Sequence, residues 1–368
     1  MRTVLLILVL LLGSCGRQPV VVHPADTPPA RLSEWGVVVE RNGYLELDGD
    51  AVPYELNVPL FSDYALKLRT LWMPPGTAAT YRDAGPFAFP VGTIISKTFY
   101  YEKAANFDEA NMRVLRQDRD ARVDGRLDLE THRLIETRLL VHYEGGWKAL
   151  PYVWNDAQDE AYLEPAGDVQ QLTHVTARGS ESFVYVVPDV NQCAGCHVTN
   201  HASKRLQPIG LRAWQLNRPY ADAQDGATQL DEWIHSGRLS GAPEHPPTGP
   251  RWGDAAASTT ALARAYLDVN CAHCHNEAGA ADTSALDLSQ SRPLDRRYGI
   301  CKPPVAVGRG SGDRPYDIYP GRPDQSILLY RMQHSDPAIA MPELGRGTMH
   351  AEAVAVIGKW ISELDGDC

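Results

Sequence analysis

TTALARAYLDVNCAHCH, residues 259–275, runs a helical repeat directly into a cysteine motif. Leu262, Ala265, Tyr266 and Val269 recur at i, i+3, i+4 and i+7, the spacing of one helix face. Ser258 or Thr259 stands where an N-cap belongs. The predicted helix delivers into Cys271-Ala272-His273-Cys274-His275. The same pattern, Cys-x-x-Cys-His, occurs upstream as CAGCH at 193–197, where a strand-like segment, ESFVYVVPDV (181–190), precedes it.

Cys-x-x-Cys-His is the attachment pattern of haem c. Two thiols add to the two vinyl groups of the porphyrin, the intervening pair sets their separation, and the next residue places an imidazole under the iron. The spacing implies that Cys193 and Cys196 hold one haem with His197 as proximal ligand. Cys271 and Cys274 then hold a second with His275. Two other chemistries use paired cysteines. Structural zinc pairs usually lie closer in sequence, and here each motif carries its own histidine. A thioredoxin-like redox pair wants a βαβ context, and one copy suffices.

Outward from the motifs, the chain has 368 residues, 43% hydrophobic and 22% charged, which suits a globular protein of two or three domains. A net charge of −11 argues against a nucleic-acid partner. The start, MRTVLLILVLLLGSC, has one arginine and an apolar run from Val4 to Leu12, too short to span a bilayer but suited to a signal-peptide core. Leu12-Gly13-Ser14-Cys15 resembles a bacterial lipobox. That resemblance implies cleavage before Cys15 and a lipid on its thiol; Gly16 at the next position implies the outer membrane. The other reading is a plain secretory signal with an incidental cysteine. With Cys15 lipidated and four cysteines in the motifs, Cys301 and Cys368 remain. In an oxidising compartment a disulfide between them is the simplest reading, and two free thiols are the alternative.

The expected fold class is α+β in two domains: a β-rich domain carrying haem 1, then an all-α domain carrying haem 2. The boundaries so drawn are a signal peptide at 1–14, a Pro-rich lipid-anchored tether at 15–35, the β-rich domain at 36–225 and the helical domain at 226–368. In the first, FAFPVGTIISKTFYYE (87–102) reads as a strand. Ile135 to Asn155 reads as a hairpin turning at Glu144-Gly145-Gly146. In the second, SILLYRMQHS (326–335) and HAEAVAVIGKWISEL (350–364) read as helices around the loop AIAMPELGRG. This second half resembles a class I cytochrome c domain. The resemblance implies Met341 as the sixth iron ligand, with Met332, Met349 and His350 as competitors. Over short stretches (FPVGT at 89–93, the hairpin, CAGCH) the first half resembles the cytochrome P460 and beta-type cytochrome c-prime fold. Lys97 lies on the matching strand and reads as a solvated strand lysine. For the sixth position of haem 1 the sequence offers His132, His142, His174, His201, Met73 or Met112, or leaves it open.

The whole chain resembles a family of bacterial di-haem c-type cytochrome lipoproteins. NVPLFSDYALKLR (57–69), ETRLLVHYEGGWKALPYVWNDAQDEAYL (136–163), VNQCAGCH (190–197), VNCAHCHN (269–276), CKPPVAVGRGSG (301–312) and MPELGR (341–346) carry it, across nearly all of the chain beyond Cys15. The resemblance implies two covalent haem c groups and names no reaction. Three functions follow as expectations. The first is electron transfer with periplasmic redox protein partners, from a lipid anchor in the cell envelope. The second is a haem redox enzyme acting on peroxide, nitric oxide or hydroxylamine at an open first haem. The third is a cytochrome subunit of a dehydrogenase complex.

Overall fold

The computed structural model describes residues 19–117, 126–219 and 226–368. The signal segment 1–14 and Cys15 lie outside the described residues. Among those described, no helix is long and apolar enough to cross a membrane. The fold is mixed and sheet-rich. Its largest sheet has six antiparallel strands, in spatial order Ala161–Leu163, Gly146–Trp154, His132–Tyr143, Ile94–Glu102, Leu66–Trp72 and Val52–Pro53. The hairpin forms at its predicted place, with Tyr143 paired to Gly146, whose φ of +112° needs a residue without a Cβ.

Alternation along each strand gives this sheet two different faces. Leu66, Leu68, Ile94, Leu139, Val141, Leu150 and Tyr152 pack on one side in a core that also takes Leu32 and Trp35. Trp35 is fully buried and its indole donates to Tyr152 Oη at 2.7 Å. The expected tether of 15–35 is therefore not a free linker at its end: residues 32–35 supply large apolar side chains, and burying them outweighs solvating a spacer. The opposite face carries Leu71, Ile95 and Leu140. Over it lie two helices, α2 (Ala213–Leu216) and α3 (Gln229–His235), counted after α1 (Val190–His197).

The packing also differs from the expected boundary at 225/226. Leu230 and Trp233 of α3 sit in the core under the large sheet, and Leu239–Ser240 forms a parallel pair with Ala79–Thr80. Residues 229–240 thus belong to the sheet-rich part. The reason is long-range: α3 is too short to hold an amphipathic face by itself, so it buries Leu230 and Trp233 against the nearest apolar surface. The following chain is built around α4 (Thr259–Asn270), α5 (Ile327–Met332) and α6 (Ala351–Ser362), separated by long loops. Helices α4 and α6 pack through Ala263, Tyr266, Leu267, Ala353, Ile357, Trp360 and Ile361. Cys301 and Cys368 are bonded, with Cα atoms 5.4 Å apart, closing the chain's last 67 residues into a loop.

A third sheet pairs Asp168–Thr176 with Gly179–Val187 and, in parallel, with Arg113–Leu115. Within it His174 is 1% exposed, stacks on Phe183 at 4.0 Å and bonds through Nε2 to the carbonyl of Asp63 at 3.1 Å. Burial pushes its pKa down to about 4. The unfolded chain takes up this proton first, so His174 contributes stability above about pH 6.5 that is lost as pH falls toward 4. Burial raises the pKa of Asp63, which acts in the opposite direction. His174→Gln should remove on the order of 2–3 kcal/mol of acid sensitivity between pH 7 and 4.5. Urea-denaturation midpoints measured at both pH values test this; equal pH dependence in variant and parent would refute it.

Candidate functional site

The first motif lies on α1, an eight-residue helix that strand-based reading of the segment does not anticipate. Asp189 begins it with a capping box: its Oδ1 accepts from Asn191 N (2.7 Å) and Gln192 N (2.8 Å), and Gln192 Oε1 accepts from Asp189 N. On a helix, Cys193, Cys196 and His197 stand at i, i+3 and i+4, so two thiols and an imidazole share one face. His197 Nδ1 donates to the carbonyl of Gln207 at 2.8 Å, leaving Nε2 as the nitrogen available to a metal.

The second motif leaves the C-terminal end of α4 in a tight turn, with Cys274 N and His275 N both donating to Cys271 O. His275 Nδ1 donates to Ser284 Oγ at 3.0 Å, and that hydroxyl passes its own proton to Ala281 O at 2.6 Å. The same nitrogen is thus engaged in both motifs and the same one is spared. Gly279 allows the turn: a Cβ there would stand 2.2 Å from Cys274 O.

Burial raises the pKa of all four thiols, Cys271 and Cys274 to about 12. A redox pair depends on a stabilised thiolate, so these surroundings do not suit thioredoxin-like exchange. Among the described residues no three His, Cys, Asp or Glu side chains converge as a group that could hold a metal ion. Cys193, Cys196 and His197 line a large cleft that encloses about 1,410 Å³ of non-atom space, part of it open to solvent.

Met341 lines a smaller pocket of about 260 Å³ with Cys271, Met332, Tyr266 and His350; His275 is not among that pocket's lining residues. The Met341 loop is braced. Met341 N donates to Arg331 O at 3.1 Å, and Arg346 Nη2 donates to the carbonyls of Met341 (2.8 Å), His334 (2.9 Å) and Arg331 (3.2 Å). Met332 packs in the helical core, and His350 stacks on Phe61 at 4.2 Å.

None of the six sequence candidates for the other side of haem 1 lines the large cleft. His174 is engaged with Asp63; His142 stacks on Trp147 and bonds Pro90 O; His132 bonds Asp128 O. Met112 is buried beside Phe99 and Tyr101, Met73 packs at the α2–α3 core, and His201 is exposed. Two residues that do line it carry surprises. His273, inside the second motif, is 7% exposed and faces the first motif's cleft. Lys97 is not a solvated strand lysine. It is half-buried and lines the cleft, and burial, with Arg138 and Arg69 nearby, holds its pKa well below the ordinary lysine value. Strand parity with Ile95 marks that inward face, but only the pairing of distant strands shows what it meets.

The two motifs touch. Cys274 Sγ lies 3.4 Å from Gly195 O, and His201 N donates to Ala278 O at 2.6 Å. Comparison with family models, with curated proteins and with solved structures finds no match to this chain.

Proposed function

We propose that the protein is a di-haem c-type cytochrome that passes single electrons between redox proteins at the cell envelope. Cys193 and Cys196 would carry haem 1 with His197 on its iron; Cys271 and Cys274 would carry haem 2 with His275 and Met341. Haem c supplies a one-electron iron couple. The observation that supports a relay is the contact between the attachment segments, in which the Cys274 thiol of one motif lies against Gly195 O of the peptide that holds the other. The chain's own part is to hold each imidazole by its Nδ1 so that the ring does not turn. The helical part from α4 onward would be the class I cytochrome c module, and residues 36–219 with 226–240 the sheet-rich module. Lipidation at Cys15, a periplasm-facing position at the outer membrane and a redox protein partner complete the reading.

A second reading, a small-molecule redox enzyme at haem 1, is favoured by one observation: no methionine lines the large cleft. The two readings separate on protein made in a host with haem c maturation. Alkaline pyridine spectra should show two haems per chain. Carbon monoxide should leave the ferrous spectra of both haems unchanged, and binding at haem 1 would favour the enzyme reading. A chain that matures without covalent haem would overturn the proposal, and slow electron exchange between the two haems in a reductive pulse would remove the relay.

A further inference from the structure

Arg69, Lys97 and Arg138 lie directly opposite one another on three adjacent strands: Arg69 pairs with Lys97, and Lys97 pairs with Arg138. Like charges directly opposite one another are destabilising in a sheet. All three face the cleft beside CAGCH, where Arg212 and Arg346 join them from α2's start and the Met341 loop. Five cations therefore line one cavity, and no aspartate or glutamate does, in a chain of net charge −11. Internal partners answer only part of this charge. Arg138 is held by Glu136 (Nε to Oε2, 2.7 Å), which also accepts from Tyr185. Arg212 pairs with Asp268 at 2.9 Å, and Arg346 is spent on loop carbonyls. The ammonium of Lys97 lies 4.8 Å from the Phe99 ring centroid and makes no hydrogen bond among the described residues. Cations gathered on one cavity, with the Lys97 ammonium open toward it, are what an anion receptor requires.

We propose that this cleft is an anion site, in which the Arg69–Lys97–Arg138 row binds the oxygens of a carboxylate or small oxyanion next to the first haem-attachment helix. Two sources share that chemistry: the carboxylate side chains of the haem itself, or a diffusible oxyanion drawn to the iron. The inference rests on the reading of CAGCH as a haem site for the first source only.

The test uses the full chain carrying its haems, as parent, Lys97→Met and Lys97→Arg, with haem content measured first so that failure of the cofactor reading shows separately. Lys97→Met removes one charge from a repelling row, so it should melt no lower than the parent. Sodium nitrite and sodium sulfite are titrated by calorimetry and by the haem spectrum. Saturable binding that weakens about tenfold or more in Lys97→Met and returns in Lys97→Arg identifies a diffusible oxyanion. No binding, but a haem 1 potential whose pH dependence bends at higher pH in Lys97→Met and not in Lys97→Arg, identifies the haem carboxylates. No binding and an unmoved pH profile would overturn the anion site. If the chain carries no haem, calorimetry with the same two anions still decides whether the cations form a receptor.

Discussion

Asp63→Ala is expected to cost about 3–5 kcal/mol of stability and to free the loop that presents Met341. Asp63 is 3% exposed and takes a φ of +49°. Its carboxylate accepts from Gly347 N (2.8 and 2.9 Å), Thr348 N (2.7 Å) and Thr348 Oγ1 (2.9 Å). Its own carbonyl accepts from Tyr101 Oη at 2.7 Å and from His174. One residue thus fastens the strands of the sheet-rich part to residues 347–348, directly after the Arg346 brace on the Met341 loop. Alanine leaves two amides and a hydroxyl unpaired away from water, each worth about 1–3 kcal/mol, and adds up to roughly 1 kcal/mol because it lacks the polar side chain that lets aspartate tolerate positive φ. Removing the carboxylate also relieves its desolvation, which is why the total stays below the simple sum. Asn tolerates the backbone and keeps one oxygen, so Asp63→Asn should lose only about 1–2 kcal/mol. Chemical denaturation reads the stability, and the ferrous spectrum reads the Met341 site. A loss under about 1 kcal/mol for alanine, with an unchanged spectrum, would show that the strut carries no load.

How far such features can be read from sequence depends on the range of the forces that make them. Helices α4 and α6 are legible because a period of 3.6 over twelve residues is a local signal, and both form within two residues of their expected ends. The hairpin is legible because Glu144-Gly145-Gly146 fixes its turn and alternation fixes its faces. Helix α1 hides behind its own chemistry: two cysteines, a glycine and a histidine in eight residues leave no apolar period. The signal that marks it is the Asp189–Gln192 capping box. The placement of residues 229–240 beneath the large sheet is not legible, because Leu239 finds its partner at Ala79, far back in the chain. The cationic row has the same cause. Arg69, Lys97 and Arg138 are unremarkable on three separate strands and become a site only through register. His273 occupies a variable position of its motif, which carries no local signal of a role; its burial in the other motif's cleft is a tertiary fact.

If the protein is the di-haem cytochrome proposed above, with Met341 on haem 2, Met341→Ala should produce the largest functional change of any single substitution outside the cysteine motifs. The loop that carries Met341 is held by backbone groups: Ile339 N and Ala340 N donate to Asp336 O at 2.8 Å, and Arg346 clasps Met341 O. Truncating the side chain therefore leaves the loop in place and removes only the thioether, which separates ligand loss from unfolding. A methionine opposite histidine raises a haem potential and closes the iron to added ligands. Without it, the haem 2 potential should fall by on the order of 0.1–0.3 V, within the roughly 0.8 V that axial ligands span, and carbon monoxide should bind where it did not before. Two neighbours make the test discriminating, because Met332 and His350 line the same small pocket. His350 is already engaged, its Nδ1 near Tyr266 Oη at 3.2 Å and its ring stacked on Phe61. Met332 sits in the helical core and would have to leave Leu329 and Ile357 to reach a metal. Met332→Leu and His350→Gln should accordingly leave the spectrum and potential of haem 2 where they are. If Met341→Ala changes neither quantity while one of those two does, the ligand is that neighbour, and the braced loop serves packing alone.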